Sequence, residues 1–408
     1  MIKHLGSFLT ITVFLFWNYS IVQGKPIKVF ILCGQSNMQG HANIKTFEAM
    51  KTDPLTVPIL EEMVDEKGNP IVCDQVWISY CTGNKRMMGE GFGKLTAGYG
   101  ARRIPYQASE KIGPELTFGI YIHKALKEPV LIIKTAWGGK SLNTDFRPPS
   151  AGSYLFKKEA LKNLEKRGKN IQEVKAEKAY KTGRFYHLMI EHIRKVLKDI
   201  KRVYPDYKNN HGYELAGFVW FQGWNDMVDT ATYPNRNKFG GYKDYSECLV
   251  HFIRDVRRDL SAPNMKFVIG VMGVGGILEN HKKPHMKFFR EAMIAPTFLP
   301  EFKDNVVAVE TASFWDRRLQ EIEEKKIKIK KMKGFLRNKH QNYPNKDGSM
   351  DFQAQKSYLD KYYQELISKE DDSYEKIARS NGAYHYFGSA KIMAQIGKAF
   401  AEAMIEKP

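Results

Sequence analysis

Cysteine is scarce in this chain, with four residues in 408. Cys33, Cys73, Cys81 and Cys248 show none of the spacings of a zinc site, which excludes a zinc-held fold. Long apolar runs are equally scarce. Past residue 24 no segment is long and apolar enough to span a bilayer, so no membrane association is expected once that segment is removed. Internal repeats and low-complexity linkers are absent. Acid is in the minority, with 45 Asp and Glu against 64 Lys and Arg and a formal net charge of +19. Such an excess favours anionic surfaces and polymers. The bases are dispersed through Lys/Glu-rich helical stretches, which is the pattern of solvated faces. With an export signal in place a nucleic-acid partner is not expected; an anionic polysaccharide fits charge and compartment together.

What is present begins with residues 1–24. Lys3 and His4 precede the short apolar core Phe8 to Trp17, and Val22-Gln23-Gly24 is a small-residue cleavage site. The segment reads as a signal peptide, with an uncleaved amino-terminal anchor as the alternative, placing the mature protein outside the cytoplasm, secreted or periplasmic. An oxidising compartment permits disulfides. Cys73 and Cys81 are close enough in sequence to close a small loop, whereas Cys33 and Cys248 read as buried thiols.

Hydrophobic residues make up 43% of the chain, enough for one large domain or two ordinary ones. Strand-like runs recur at Ile27–Cys33, Val130–Thr135, Ala216–Phe221, Lys266–Met272 and Asn305–Thr311. Between them residues 186–204 and 243–260, and the stretch from Ile392 to Met404, carry apolar residues at helical spacing. Strands alternating with helices predict an α/β fold, a three-layer α/β/α sandwich on a mostly parallel sheet. Residues 140–182 and 318–380 break this rhythm with Pro148-Pro149, Lys/Glu-rich runs and loop signals. They read as insertions into one domain spanning 25–408.

Four segments carry residues suited to chemistry. Val29–Cys33 breaks into Gly34-Gln35-Ser36-Asn37-Met38, lifting Ser36 to the carboxyl end of a strand, where open α/β sheets place their sites. A serine there is a nucleophile if a base reaches it, or a turn serine bonding nearby backbone. The second glycine of Gly-x-Ser-x-Gly is missing, which removes the α/β-hydrolase elbow. Trp137-Gly138-Gly139 ends a second strand, and its glycines free backbone N–H groups for a ligand. Trp220-Phe221-Gln222-Gly223-Trp224-Asn225-Asp226 ends a third; side-chain amides so placed can stabilise an oxyanion. His385, in Ala383–Gly388, precedes the last helix, and imidazole suits a general base.

In this order the segments resemble the SGNH hydrolase superfamily (a flavodoxin-like sandwich), and more narrowly its carbohydrate esterase and sialate O-acetylesterase-like branch. The resemblance runs from about Lys25 to the end. It implies Ser36 as nucleophile and His385 as base. It implies an oxyanion held by Ser36, Gly139 and Gln222, and a supporting role for Glu115 in Gly113-Pro114-Glu115. Gln35, Asn37, Trp137, Trp224 and Asn225 are the substrate-contacting candidates, the tryptophans as platforms for sugar rings. Neither metal nor organic cofactor is required. The implied substrate is O-acetylated carbohydrate: acetylated sialic acid, acetyl-xylan or another decorated polysaccharide.

Two family features are lacking. The aspartate three residues before the histidine is Gly382, and the glutamate after Gln222-Gly223 is Trp224. An acid orients the base and stabilises its cation, so either a Ser–His dyad works alone or an acid comes from elsewhere, with Asp226, Glu310 and Asp316 as candidates. The gap keeps a rival reading open, a non-catalytic carbohydrate-binding protein on a decayed esterase scaffold. A lipid or aryl esterase on the same fold is a third.

Overall fold

The computed structural model describes residues 25–84, 87–278 and 283–406; the segment read as an export signal lies outside them. Among the described residues nine strands follow one another: β1 (Ile27–Gly34), β2 (Ala42–Asn43), β3 (Cys73–Gly83), β4 (Met88–Leu95), β5 (Lys111–Ile112), β6 (Val130–Ala136), β7 (Tyr213–Phe221), β8 (Lys266–Val271) and β9 (Val306–Glu310). Seven form one sheet in the order β4-β3-β6-β1-β7-β8-β9. Every pairing is parallel except β3 with β4. β2 and β5 make a separate two-residue ribbon.

The centre of the sheet is β1, between β6 and β7. It is covered on both faces, which is why it is an almost unbroken apolar run. Phe30 meets Phe118 of the helix Glu115–Leu126 edge-on, with centroids 5.6 Å apart. Cys33, on the opposite face, touches Met189 of the helix Arg184–Lys198. The same division holds along β7. Trp220 packs on Phe252 of the helix Lys243–Asp259 at 4.4 Å, and Phe221 on Phe400 of the helix Ala390–Ile405 at 5.3 Å. Truncating such a buried aromatic to alanine costs about 3–5 kcal/mol. The expected three-layer sandwich is therefore the observed fold.

All five expected strands form, with ends within three residues of those read from the sequence. The hairpin of β3 and β4 was not anticipated, because its glycines and mixed polarity mask the period of two. It also corrects the cysteine pairing. Cys73 and Cys81 lie on the single strand β3 and are free thiols. Their partners on β4, Leu95 and Glu90, are five residues apart, which separates the two cysteines by roughly 17 Å, far beyond disulfide reach. Cys33 and Cys248 are buried thiols, as read.

Neither irregular stretch adds a strand to the sheet. The first carries the helices Lys158–Lys166 and Ile171–Lys181, which have no buried residue. The second carries the helices Arg317–Arg337, Phe352–Leu366 and Lys369–Ala378. No helix among the described residues is long and apolar enough to cross a membrane.

Candidate active site

The order of strands switches sides at β1, since β3 and β6 are laid down to one side and β7, β8 and β9 to the other. A crevice opens at such a switch point, outside the carboxyl ends of the strands. Three of the sequence segments meet there, after β1, β6 and β7.

Ser36 opens the four-residue helix Ser36–Gln39 directly after β1 and is 8% exposed. The turn depends on glycine. A Cβ on Gly34 would sit 2.1 Å from the carbonyl oxygen of Phe221, so only glycine lets the ends of β1 and β7 come this close. Gly40, at φ +81°, ends the helix against Gly113 with no room for a side chain. The end of the helix is also held from below. Lys134 Nζ donates to the carbonyl of Gln39 at 2.9 Å and to that of Tyr99 at 2.7 Å, and pairs with Glu115 at 2.6 Å. Both charged side chains are fully buried. Burial lowers the Lys134 pKa to about 8, against the pull of Glu115. Glu115 thus supports the serine turn from beneath and takes no place at its surface.

Gln35 is buried and ties the β7 end to the β1 end. Its Oε1 accepts from Gln222 Nε2 at 3.1 Å, Gly223 N at 3.2 Å and Asn225 N at 3.3 Å. Its Nε2 donates to Asn225 Oδ1 at 3.0 Å and stands 3.5 Å from Ser36 Oγ. Gln222 is equally committed. Its Nε2 also faces Asp226 Oδ2 at 2.7 Å and the Lys140 carbonyl at 3.0 Å. In this arrangement it braces the glycine loop and has no free hydrogen for an oxyanion. Two amides beside the serine, Asn37 and Asn225, have an uncommitted NH2 group, and the Asn225 side chain presents only its oxygen to Gln35. Gly138 is the glycine nearer Ser36, its Cβ position 3.9 Å from Ser36 Cβ. Gly139 follows at φ +72° in open space.

Asp226 is buried beneath the glycine loop. It accepts from the backbone N–H of Leu142 at 2.7 Å and Asn143 at 3.0 Å, and from Tyr233 Oη at 3.1 Å. Burial raises its pKa to about 6, with those hydrogen bonds opposing. Asp316 caps the helix Arg317–Arg337 through Leu319 N and accepts from Tyr374 Oη. Glu310 is exposed at the end of β9. None of these three carboxylates hydrogen-bonds His385.

The partner of His385 is an amide that the sequence reading missed. His385 Nδ1 lies 3.0 Å from Asn381 Oδ1. The same oxygen accepts from Gly382 N at 2.7 Å. A backbone N–H can only donate, so the atom facing it is the amide oxygen, and His385 must carry its proton on Nδ1. Nε2 is then the basic nitrogen. Burial, then Lys111, lowers the His385 pKa to about 4. The only sequence signal was an Asn one position upstream of the family's aspartate, with side-chain length enough to reach.

The loop carrying His385 is held in a strained form. Tyr386 and Phe387 adopt left-handed backbone at φ +52° and +58°, conformations that disfavour residues with a Cβ. Their anchors keep them there. Tyr386 Oη accepts from Gly273 N at 2.8 Å and bonds Thr311 Oγ1 at 2.7 Å, and Phe387 packs on Trp315 at 4.6 Å. Ser380 Oγ bonds the carbonyl of His41 and the N–H of Asn43. The loop Ala383–Gly388 consequently packs against the helix of Ser36. The serine and histidine segments are thus neighbours, and the two side chains make no direct hydrogen bond.

Of the substrate-contacting candidates, Trp137 is corrected to a core residue, 1% exposed against Phe146 and Phe185. Gln35 and Asn37 are also buried, and Asn37 Oδ1 lacks a partner. Trp224 is half-buried beside Tyr384, a residue not singled out from the sequence, which is 48% exposed and adjoins His385. A cavity of about 770 Å³ runs from Gly139 and Asn225 beneath the helices Lys158–Lys166 and Ile171–Lys181, with Tyr154, Phe156 and Lys178 in its wall.

The family model described as carbohydrate esterase, sialic acid-specific acetylesterase, matches residues 26–317. The chain belongs to this carbohydrate esterase family. The match takes in the segments of Ser36, Glu115, Gly138-Gly139 and Gln222; His385 and Asn381 lie beyond it. Among solved structures, a protein from Arabidopsis thaliana is 16% identical over 70% of this chain and 86% of that one, with a TM-score of 0.36. A carbohydrate acetylesterase from Xanthomonas citri is 14% identical over 69% of this chain and 49% of that one, about half its length, with a TM-score of 0.37. No curated protein matches this carbohydrate esterase family member.

Proposed function

We propose that the protein is an exported serine esterase that removes O-acetyl groups from carbohydrate. The observation that supports this reading is the packing of the His385 loop on the Ser36 helix, beside the Gly138-Gly139 loop, with the histidine's Nδ1 proton held by Asn381. In the reaction His385 Nε2 takes the Ser36 proton as Oγ attacks the acetyl carbonyl. The backbone N–H groups of Ser36 and Gly139, with the Asn225 amide, receive the oxyanion; each such donor is typically worth about 3–4 kcal/mol of barrier. The imidazolium then protonates the departing sugar alkoxide. Water, deprotonated in turn by His385, releases acetate from Ser36. Family membership supports acetylated carbohydrate as the substrate class, acetylated sialic acid included. The cavity beside Gly139 supports a glycan that extends beyond the acetylated ring. Residues 1–24 are what supports export.

The test is acetate release from a small acetyl ester, acetylated sialic acid and acetyl-xylan, by the native protein and by Ser36→Ala. Loss of hydrolysis in the variant with folding intact is the expected result. Equal rates would remove the esterase reading and leave the carbohydrate-binding one.

A further inference from the structure

His41 follows the serine turn directly and lies face to face with His385. Their ring centroids are 3.9 Å apart and the planes differ by 2°. Both ring nitrogens of His41 are buried, and neither has a hydrogen-bond partner. Buried polar atoms left unsatisfied are uncommon in folded proteins and call for a reason. A ring needed only for packing would serve better as phenylalanine or leucine. The place of this one is set from both sides. Gly40 fixes the turn before it, and Ser380 Oγ bonds its carbonyl from the loop of the base.

We propose that His41 is a positioning residue for His385: its stacked ring fixes the plane of the base and offers a π face to the imidazolium that forms when Ser36 loses its proton. The inference rests on the esterase reading above. It also accounts for the missing carboxylate. Asn381 supplies orientation but no charge, so the cation at His385 has no anion behind it. A neutral aromatic face attracts a cation. His41 must itself stay neutral to do this, and it does. Burial, then the proximity of His385, Lys111 and Lys134, lowers its pKa to about 3. Lys111 on β5 and Lys134 on β6, the latter paired with Glu115, are the charged groups bearing on the pair; Asn381 and Tyr384 are its polar neighbours from the loop of the base.

His41→Phe retains a flat ring with a π face, and His41→Leu retains bulk alone. For acetyl ester hydrolysis the Phe variant should keep kcat within about threefold, while the Leu variant loses about tenfold or more with KM unchanged. A ring role also has a signature independent of turnover. The His385 ring proton signals should be shifted upfield by ring current in the native protein and the Phe variant, and not in the Leu variant. Should the Leu variant fail to fold by near-ultraviolet circular dichroism, His41→Met replaces it. Equal kcat in native and Leu proteins, or a Phe variant as impaired as the Leu one, overturns the proposal. An inactive native protein would sink the esterase reading, and the ring-current comparison would still decide whether His41 stacks on the base.

Discussion

Asn381 Oδ1 stands 3.0 Å from His385 Nδ1, four residues upstream of the histidine it orients. The Gly382 N–H pins the amide so that oxygen, not nitrogen, faces the ring. An amide turned the other way would force the wrong tautomer, which is how replacing a carboxylate by an amide can disable a triad. Removing the group should have the same effect here. We expect Asn381→Ala to lower kcat by about 10²–10⁴-fold, with KM little changed. Asn381→Asp places an anion beside the ring, favours the imidazolium and should move the acid limb of the pH–rate profile to higher pH. Unchanged profiles in both variants would dismiss Asn381 as an orienting group.

Activity should persist well below the ordinary histidine range. The base must be neutral, and burial lowers His385 to about 4. We expect kcat/KM to fall as pH drops through about 4 and to change little between pH 6 and 7. A half-maximum near 6.5 would show a solvated His385 and contradict the packed loop.

Stability should fall with acid ahead of activity. His41, His192 and His385 are lowered to about 3, 4 and 4, chiefly by burial. Between their ordinary value near 6.5 and those values, the unfolded chain binds protons that the native state does not. Stability therefore rises with pH across this window. Asp226, raised from 3.8 to about 6, acts in the opposite sense between those limits, because there the native state holds the extra proton. His285 is lowered too, chiefly by burial, so four groups oppose one. A denaturant midpoint at pH 5 below that at pH 7 is the expected result; the reverse order would mean the histidines are not buried neutral.

The Glu115–Lys134 pair should be far more sensitive to single than to double replacement. Removing one partner leaves an uncompensated buried charge, at a cost of about 3–5 kcal/mol. Glu115→Gln or Lys134→Met should each show that loss, and the double variant should recover part of it. Lys134→Met should also lower kcat, because the Gln39 carbonyl at the end of the serine helix loses its donor. Thermal unfolding and ester hydrolysis together separate the two effects. Additive single losses in the double variant would argue against a coupled pair.

Trp224 and Tyr384 frame the rim near His385 without bonding it. Trp224→Ala and Tyr384→Ala should raise KM for acetylated glycans several-fold and leave hydrolysis of a small acetyl ester nearly unchanged. Equal effects on both substrates would assign these rings to packing.

Much of the scaffold could be read from residue order alone. Five apolar runs, from Ile27 to Thr311, became the parallel core, since central strands covered on both faces leave an unmistakable pattern. The hairpin of β3 and β4 escaped because it lies at an edge, where glycines such as Gly89, Gly91 and Gly93 and polar side chains interrupt the alternation. Ser36, Gly138-Gly139 and Gln222 were legible as strand ends. What each of them does there was not, since that depends on contacts between distant segments. Gln222 turned out to brace Asp226 and the Lys140 carbonyl, and Trp137 to sit in the core.

The order of residues, by itself, determined that a glycine turn bearing Ser36 would stand at the carboxyl end of a central strand. Local hydrophobic periodicity and a glycine that alone fits the turn are sufficient for that. Only the tertiary structure decided what stands behind the base. Asn381, His41 and the anchors of Tyr386 are brought to His385 by a loop bent into left-handed backbone, and hydrogen bonds across more than three hundred residues leave no trace in local spacing.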